Sequence, residues 1–448
     1  MRSRTLGLIV AAVTATLAVS LAAPAYAAIG GPVSTKPAAW TPHLPATTSS
    51  VMQIRQLAQC GGTMYAVGTF TTVLRYSSTF ARNNAFSFSA TTGAVTSWNP
   101  NVNGTVNSIA LSANCSTAYL GGLFTSVHGT ALKNLASVST STGAVNTGFT
   151  HSAGGQVAAL LISGNHLLTG GYFTGVNGST KKYMASLNPA TGLDDGYVNL
   201  NISGNYVYTD DGGHPAASNP SRVYNFELSP DRGRLLVMGD FTSVAGQRRQ
   251  QIFMLDLGAS VATLDPWYSA EFNANCATVE PFYVQAAAWS PDGTSVYVAT
   301  TGYKPANGLG YKTTDPRAGL CDAAAKFPST RSSTLAHNWV NYTGCDSYYS
   351  VAADTNDVYV GGHERWANNS RGCDYAGTGA VSRPGLGALS PSTGLATSWN
   401  PTRARGLGAD DMIVTTNPPG LWIASDNAYG SDTCGGVYGK AGICFLPS

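Results

Sequence analysis

His363-Glu364-Arg365-Trp366 places an imidazole, a carboxylate, a guanidinium and an indole on four consecutive positions. Tyr348 and Tyr349 precede this run, and Arg383, Arg403, Arg405, Asp410, Asp411 and Asp426 follow it. An aromatic ring beside guanidinium groups and carboxylates suits carbohydrate: the ring stacks on the apolar face of a sugar, while the forks hold hydroxyls or a uronate carboxylate. The expected ligand-binding set is His363, Glu364, Arg365, Trp366, Arg383, Arg403, Arg405, Asp426, Tyr348 and Tyr349. The same groups admit catalysis. In a polysaccharide lyase, Arg365 or Arg403 would neutralise a uronate carboxylate, His363 or Tyr348 would take the α-proton, and a second Tyr would protonate the leaving oxygen. In a glycoside hydrolase, two carboxylates among Glu364, Asp410, Asp411 and Asp426 would face one another about 5 to 9.5 Å apart. A purely architectural reading stands beside these: Trp366 fills a Phe position, and Arg403 and Arg405 pair with Asp410 and Asp411 to lock neighbouring units.

Other chemistry is sparser. His128, His151 and His166 fall in regular repeats and read as turn residues. Asp194-Asp195 and Asp210-Asp211 offer oxygen ligands for calcium, but no EF-hand string surrounds them, so no cofactor is expected beyond that option. Ser179-Thr180-Lys181-Lys182 matches S-x-x-K by chance, inside a turn. No P-loop, H-E-x-x-H or G-x-S-x-G occurs. A formal charge of +2, with only 11% charged residues, gives no electrostatic case for nucleic acid.

The elements that must position these residues are repeats. QLAQCGGTMYAVGTFTTV, IALSANCSTAYLGGLFTSVHG, ALLISGNHLLTGGYFTGVNG and FELSPDRGRLLVMGDFTSVAG rewrite one pattern: an alternating apolar strand, a turn, a second strand ending in Gly-Gly or Gly-Asp, then Phe-Thr-x-Val. A third strand follows, as in NNAFSFSATTGAV, and Thr-Gly turns the chain into a fourth. An aromatic closes each copy, at Trp98, Phe149, Tyr197, Trp267, Trp339 and Trp399, with a seventh at Trp40. Four antiparallel strands repeated about every 50 residues predict an all-β, seven-bladed β-propeller. The blades are expected near 51–100, 101–150, 151–205, 221–272, 281–342, 345–401 and 405–448. The last ends on an unfinished third strand, so residues 36–44 are expected to supply its outer strand and close the ring. Ser290-Pro291-Asp292-Gly293 reads as a structural turn, and Lys304 to Thr334 as a long loop.

Residues 1–27 read as a cleavable export leader: Arg2 and Arg4, an apolar run from Leu6 to Ala23, then Ala25-Tyr26-Ala27. Residues 28–448 form a single propeller domain, and no later stretch is apolar for long enough to insert in a membrane. Eight cysteines in an exported chain read as four disulfides. Cys60 and Cys115 occupy equivalent turns of successive repeats and pair; Cys434 and Cys444 staple one hairpin; Cys276 with Cys321 and Cys345 with Cys373 staple loops.

In these residues the chain resembles the actinobacterial secreted propellers with GG-x-F-T-x-V-x-G, or delta-sixty, repeats. The likeness runs over nearly all of residues 28–448 and is most specific in TGCDSYYSVA, VYVGGHERWANN, RPGLGALSP, SWNPTRARGLG and LWIASD. Cys345 departs from it, standing where that family more usually has glycine. The resemblance implies a fold and an extracellular setting, without a characterised activity. The reading that results is a secreted, monomeric binding protein that recognises cell-wall or environmental polysaccharide at one mouth of the propeller. A polysaccharide-degrading enzyme, and a rigid platform for another extracellular protein, are its rivals.

Overall fold

The repeat becomes sheet because its apolar residues alternate over six to eight positions and are broken by turn formers. In the computed structural model, which describes residues 29, 31–46, 51–205, 221–273, 284–302, 320–428 and 433–448, the chain is all-β apart from one 3₁₀ turn at Ala270–Asn273. The leader, Asp210, Asp211 and Cys276 lie outside the described residues. Among the described residues no helix is long and apolar enough to cross a membrane.

Seven antiparallel sheets follow one another along the chain, opening with Gln53–Cys60, Thr105–Leu111, Gln156–Ser163, Arg222–Leu228, Val284–Trp289, Tyr348–Ala353 and Asp411–Thr416. Among the described residues only the fourth and fifth have four full strands. In the first, second, third and sixth, the expected fourth strand is reduced to single bridges, Phe88 to Val95, Val138 to Val145, Leu187 to Asp194 and Leu389 to Ala396. Part of the segment expected as a long loop is in fact strand: Ala323–Pro328 is the third strand of sheet five. In sheet seven the third strand is Ile443–Pro447, and the N-terminal segment lies along it, with Ser34 N donating to Pro447 O at 2.7 Å and Ala38 N to Phe445 O at 2.8 Å. Trp40 packs there against Trp422 and Phe445.

Phe-Thr-x-Val-x-Gly does not extend the second strand. It folds into a small separate hairpin, as at Ser126–Val127 with Thr130–Ala131. His128 and Gly129 both have positive φ there, as a tight I′-type hairpin turn requires. Phe70, Phe124, Phe173 and Phe241 are the buried anchors of these hairpins.

The Gly-Gly pair has a packing cause. A Cβ on Gly121 would come within 2.5 Å of Val157 of the next sheet, and one on Gly122 within 2.1 Å of the Thr105 carbonyl oxygen. Gly170 and Gly171 repeat both restrictions against Val223 and Gln156. The first glycine lets the neighbouring sheet approach, and the second lets the first strand cross.

Side chains near the start of several first strands tie neighbouring sheets together. Gln56 Oε1 accepts from Ile109 N at 2.7 Å and Ser108 Oγ from Leu160 N at 2.9 Å. Ser350 Oγ donates to Ala409 O at 2.8 Å, and Asp411 Oδ2 accepts from Leu57 N at 2.9 Å, joining the last sheet to the first. Trp422 and Ala424 share a buried cluster with Met64 and Phe88 across that junction. The closing aromatics do the same at the outer edge: Trp98 Nε1 donates to Ser139 O, Trp267 Nε1 to Pro328 O, Trp339 Nε1 to Pro391 O and Trp399 Nε1 to Val33 O.

Three disulfides are present among the described residues: Cys60–Cys115 between sheets one and two, Cys345–Cys373 and Cys434–Cys444.

Candidate functional site

Sheet six departs from the repeat between its second and third strands. Aligned on the hairpin, Glu364 stands where the other copies have their anchoring Phe, and it is buried to the same degree, at 0% exposure. Neither carboxylate oxygen has a hydrogen-bond partner. Burial pushes its acid well above the usual carboxylate range. Trp366 falls two positions later, at the x of Phe-Thr-x-Val, and opens the short strand Trp366–Ala367. It is therefore not core filling in the Phe slot; it is half-buried, with the Arg365 guanidinium 4.4 Å above its ring.

The arginines are engaged. Arg365 grips Asp346 with two nitrogens, both at 2.8 Å, and reaches Asp374 at 2.7 Å. Arg405 also donates to Asp346, at 3.2 Å, and to His363 O. The expected pairing of Arg403 and Arg405 with Asp410 and Asp411 is thus replaced by Arg405 with Asp346 and Arg403 with Asp426. Arg403 is fully buried against Asp426, whose Oδ2 also accepts from Leu407 N and Gly408 N. Arg383 is buried and bonds the carbonyls of Ser382 and Thr397. Tyr348 is fully buried, and burial raises its phenol well above the ordinary value. His363 is half-buried, which lowers its imidazole, and its Nδ1 has no partner.

Of the ten residues expected to bind, Tyr348, Glu364, Arg383, Arg403 and Asp426 are closed inside the protein. Only His363, Arg365, Trp366, Arg405 and Tyr349 keep part of their surface in solvent, and both of those arginines already share Asp346. A lyase arrangement on Tyr348 and Arg403 is not open to a substrate. Asp194 and Asp195, offered for calcium, spend their oxygens on Ser179, Gly196, His166 and Tyr197. Among the described residues no group of three or more His, Cys, Asp or Glu could hold a metal.

A different site opens at the starts of the first strands. In sheets one to six each first strand carries a β-bulge near its beginning, and the extra residue is Arg55, Asn107, Ala158, Tyr224, Gln285 or Tyr349. A bulge re-aims the inserted side chain away from the regular alternation. A cavity of about 250 Å³ lies at this level, lined by Arg55, Asn107, Gln156, Tyr172, Tyr224 and Asp410 among others, from sheets one to four and seven. A second, of about 320 Å³, shares Gln56, Asn225, Phe226, Asp410 and Asp411 with it and continues along the first strands.

Several groups here are not consumed by the fold. Tyr172, the x of Gly-Gly-x-Phe, is 44% exposed. Arg55 is exposed and, among the described residues, makes no ion pair within 4 Å. Asp410 Oδ2 has no partner. Burial raises Asp410 to about 7 even against the pull of Arg55, and raises Asp411 to about 6. Arg55 and Tyr172 did not stand out in the sequence. The one signal is that the residue after Ile54, Val106, Val157, Val223 and Val284 changes type from copy to copy while the Ile or Val before it does not.

No family model matches this chain, and no curated protein does. Among solved structures, it is similar to hydrazine synthase of Kuenenia stuttgartiensis, at 11% identity over 90% of this chain and 98% of that one, with a TM-score of 0.49. It is also similar to the WD40 β-propeller domain of Doa1, at 10% identity over 91% and 97%, with a TM-score of 0.43.

Proposed function

We propose that the seven sheets are the blades of one β-propeller, closed by residues 36–44, exported by the leader at 1–27, and that it binds carbohydrate at the mouth of its central channel. The N-terminal segment along Ile443–Pro447 and the Asp411–Leu57 bond support closure of the ring. Three disulfides agree with an oxidising compartment. The ancestry suggested by the GG-x-F-T repeat fits the same setting.

One observation carries the binding reading. An exposed Tyr172 ring shares a cavity with an uncommitted guanidinium, the side-chain amides of Gln56, Asn107, Gln156 and Asn225, and the half-buried carboxyl group of Asp410. Pockets that hold a ligand combine an apolar or aromatic wall with a few convergent polar groups. A ring and hydrogen-bonding groups converging on a space of that size match a sugar better than an apolar molecule. The test is a polysaccharide retention panel (cellulose, chitin, xylan, starch glucan, polygalacturonate) on the secreted chain and on Tyr172→Ala. Retention of at least one polymer that Y172A loses supports the reading, and retention of none refutes it.

The hydrolase reading draws on one specific feature: Asp410 and Asp411 are both raised toward neutrality in this cavity. Asp411 Oδ2 is held by Leu57 N, which leaves Asp410 as the general-acid candidate. Release of reducing ends from the retained polymer would favour this reading, and an unchanged polymer would remove it.

A further inference from the structure

Arg55 and Asp410 stand at equivalent places in the first and last sheets, which are neighbours, and line the same cavity. Arg55 pulls the Asp410 acid down, yet no nitrogen of Arg55 comes within 4 Å of an Asp410 oxygen. Elsewhere the chain closes its ion pairs tightly, as Arg365 does on Asp346 at 2.8 Å. A cation and a carboxylate held apart across a polar cavity leave a slot for a group that accepts from one and donates to the other. Two adjacent sugar hydroxyls do both at once.

The cavity's shape adds a second constraint. Its lining comes from five sheets, mostly from their first strands, with Tyr172 at the end of a second strand and Asp410 just before a first one. At about 250 Å³ it continues through Gln56, Asn225, Phe226, Asp410 and Asp411 into the second space of about 320 Å³ along the first strands. A space that runs along the strands takes the end of a chain. A polymer laid across the mouth would meet the exposed Tyr172 and Arg55, and a chain end reaches the half-buried Asp410 as well.

We propose that the channel mouth recognises the terminal residue of a glycan chain, with adjacent hydroxyls bridging Arg55 and the half-buried Asp410 carboxyl group, the Gln56 and Gln156 amides beside them, and Tyr172 stacked on the ring. This rests on the carbohydrate-binding reading and goes beyond it by naming chain ends as the ligand. Gln56 can contribute because its Oε1 is taken by Ile109 N, which leaves its NH₂ as donor. No residue of sheet six enters the grip.

The experiment takes whichever polymer of the panel is retained and compares it with the same mass after limited acid hydrolysis, which multiplies ends without changing the sugar. The methyl glycoside of its terminal residue serves as competitor. Binding per gram should rise with the number of ends, and the methyl glycoside should compete. Arg55→Gln and Asp410→Asn should each weaken binding at least tenfold, while Tyr375→Ala, on the exposed sheet-six loop, should bind as the parent does. Binding that follows mass and not ends, or that is indifferent to R55Q and D410N, overturns end recognition while leaving carbohydrate binding intact. If no polymer is retained at all, both fall.

Discussion

Two regions of this molecule carry its unusual polar residues, and they have opposite fates. Around sheet six, the guanidinium groups of Arg365, Arg403 and Arg405 are matched to Asp346, Asp374 and Asp426, and half of the cluster is sealed from water. At the starts of the first strands, Arg55, Gln156, Tyr172 and Asp410 face a cavity with bonds still to make. A polar cluster that satisfies itself stabilises or specifies a fold, whereas one that cannot do so within the chain is prepared for something else. Residue type alone does not separate the two; the state of the hydrogen bonds does.

The largest effect should come from breaking the closed region. Arg403→Met leaves the Asp426 carboxylate buried without its cation, and loss of one partner of a buried pair costs about 3 to 5 kcal/mol. Urea unfolding of R403M should show that loss; a change of under about 1 kcal/mol would mean that Asp426 is held without Arg403, by donors such as the backbone of Leu407, Gly408 and Ala428. Cys345→Ser with Cys373→Ser removes the staple of the same region and should cost about 2 to 4 kcal/mol, again without loss of glycan retention.

Glu364 gives a subtler test. Its carboxyl sits in a Phe slot with a folded pKa raised by burial, so the native chain keeps a proton that the unfolded chain releases above about 4.3. Stability should therefore fall as pH rises from that value toward neutrality. Glu364→Gln has no proton to lose, so it should exceed the parent in thermal midpoint at pH 7, and the difference should shrink toward pH 4. Equal midpoints across that range would show that Arg403 and Arg405 offset the burial.

Much of the architecture is legible in the sequence because the repeat is written in packing residues. Phe70, Phe124, Phe173 and Phe241 mark the hairpins, the Gly-Gly pairs mark where sheets approach, and Trp98, Trp267, Trp339 and Trp399 mark where each unit hands on to the next. The fourth strands are less legible, because the copies that carry Thr-Gly, as before Val95, pair there by a single bridge, whereas the three-residue strand Ala262–Leu264 follows Leu257-Gly258-Ala259-Ser260, which has no Thr-Gly. The candidate site was least legible. His363 to Trp366 attracts attention by being an exception, yet strict alignment puts Glu364 in a core position. Arg55 and Tyr172 escape notice because each occupies a place where residue type varies between copies: one is set by a bulge and the other by the free position of Gly-Gly-x-Phe.

The comparison between the two regions comes down to one side-by-side measurement. Retention on the polysaccharide panel should be compared for the parent chain, Tyr172→Ala and Trp366→Ala, with folding of each verified by its unfolding midpoint. The account predicts that Y172A loses at least tenfold in retention and that W366A retains the parent's value. Loss in W366A with Y172A unchanged would return the binding face to sheet six and contradict it.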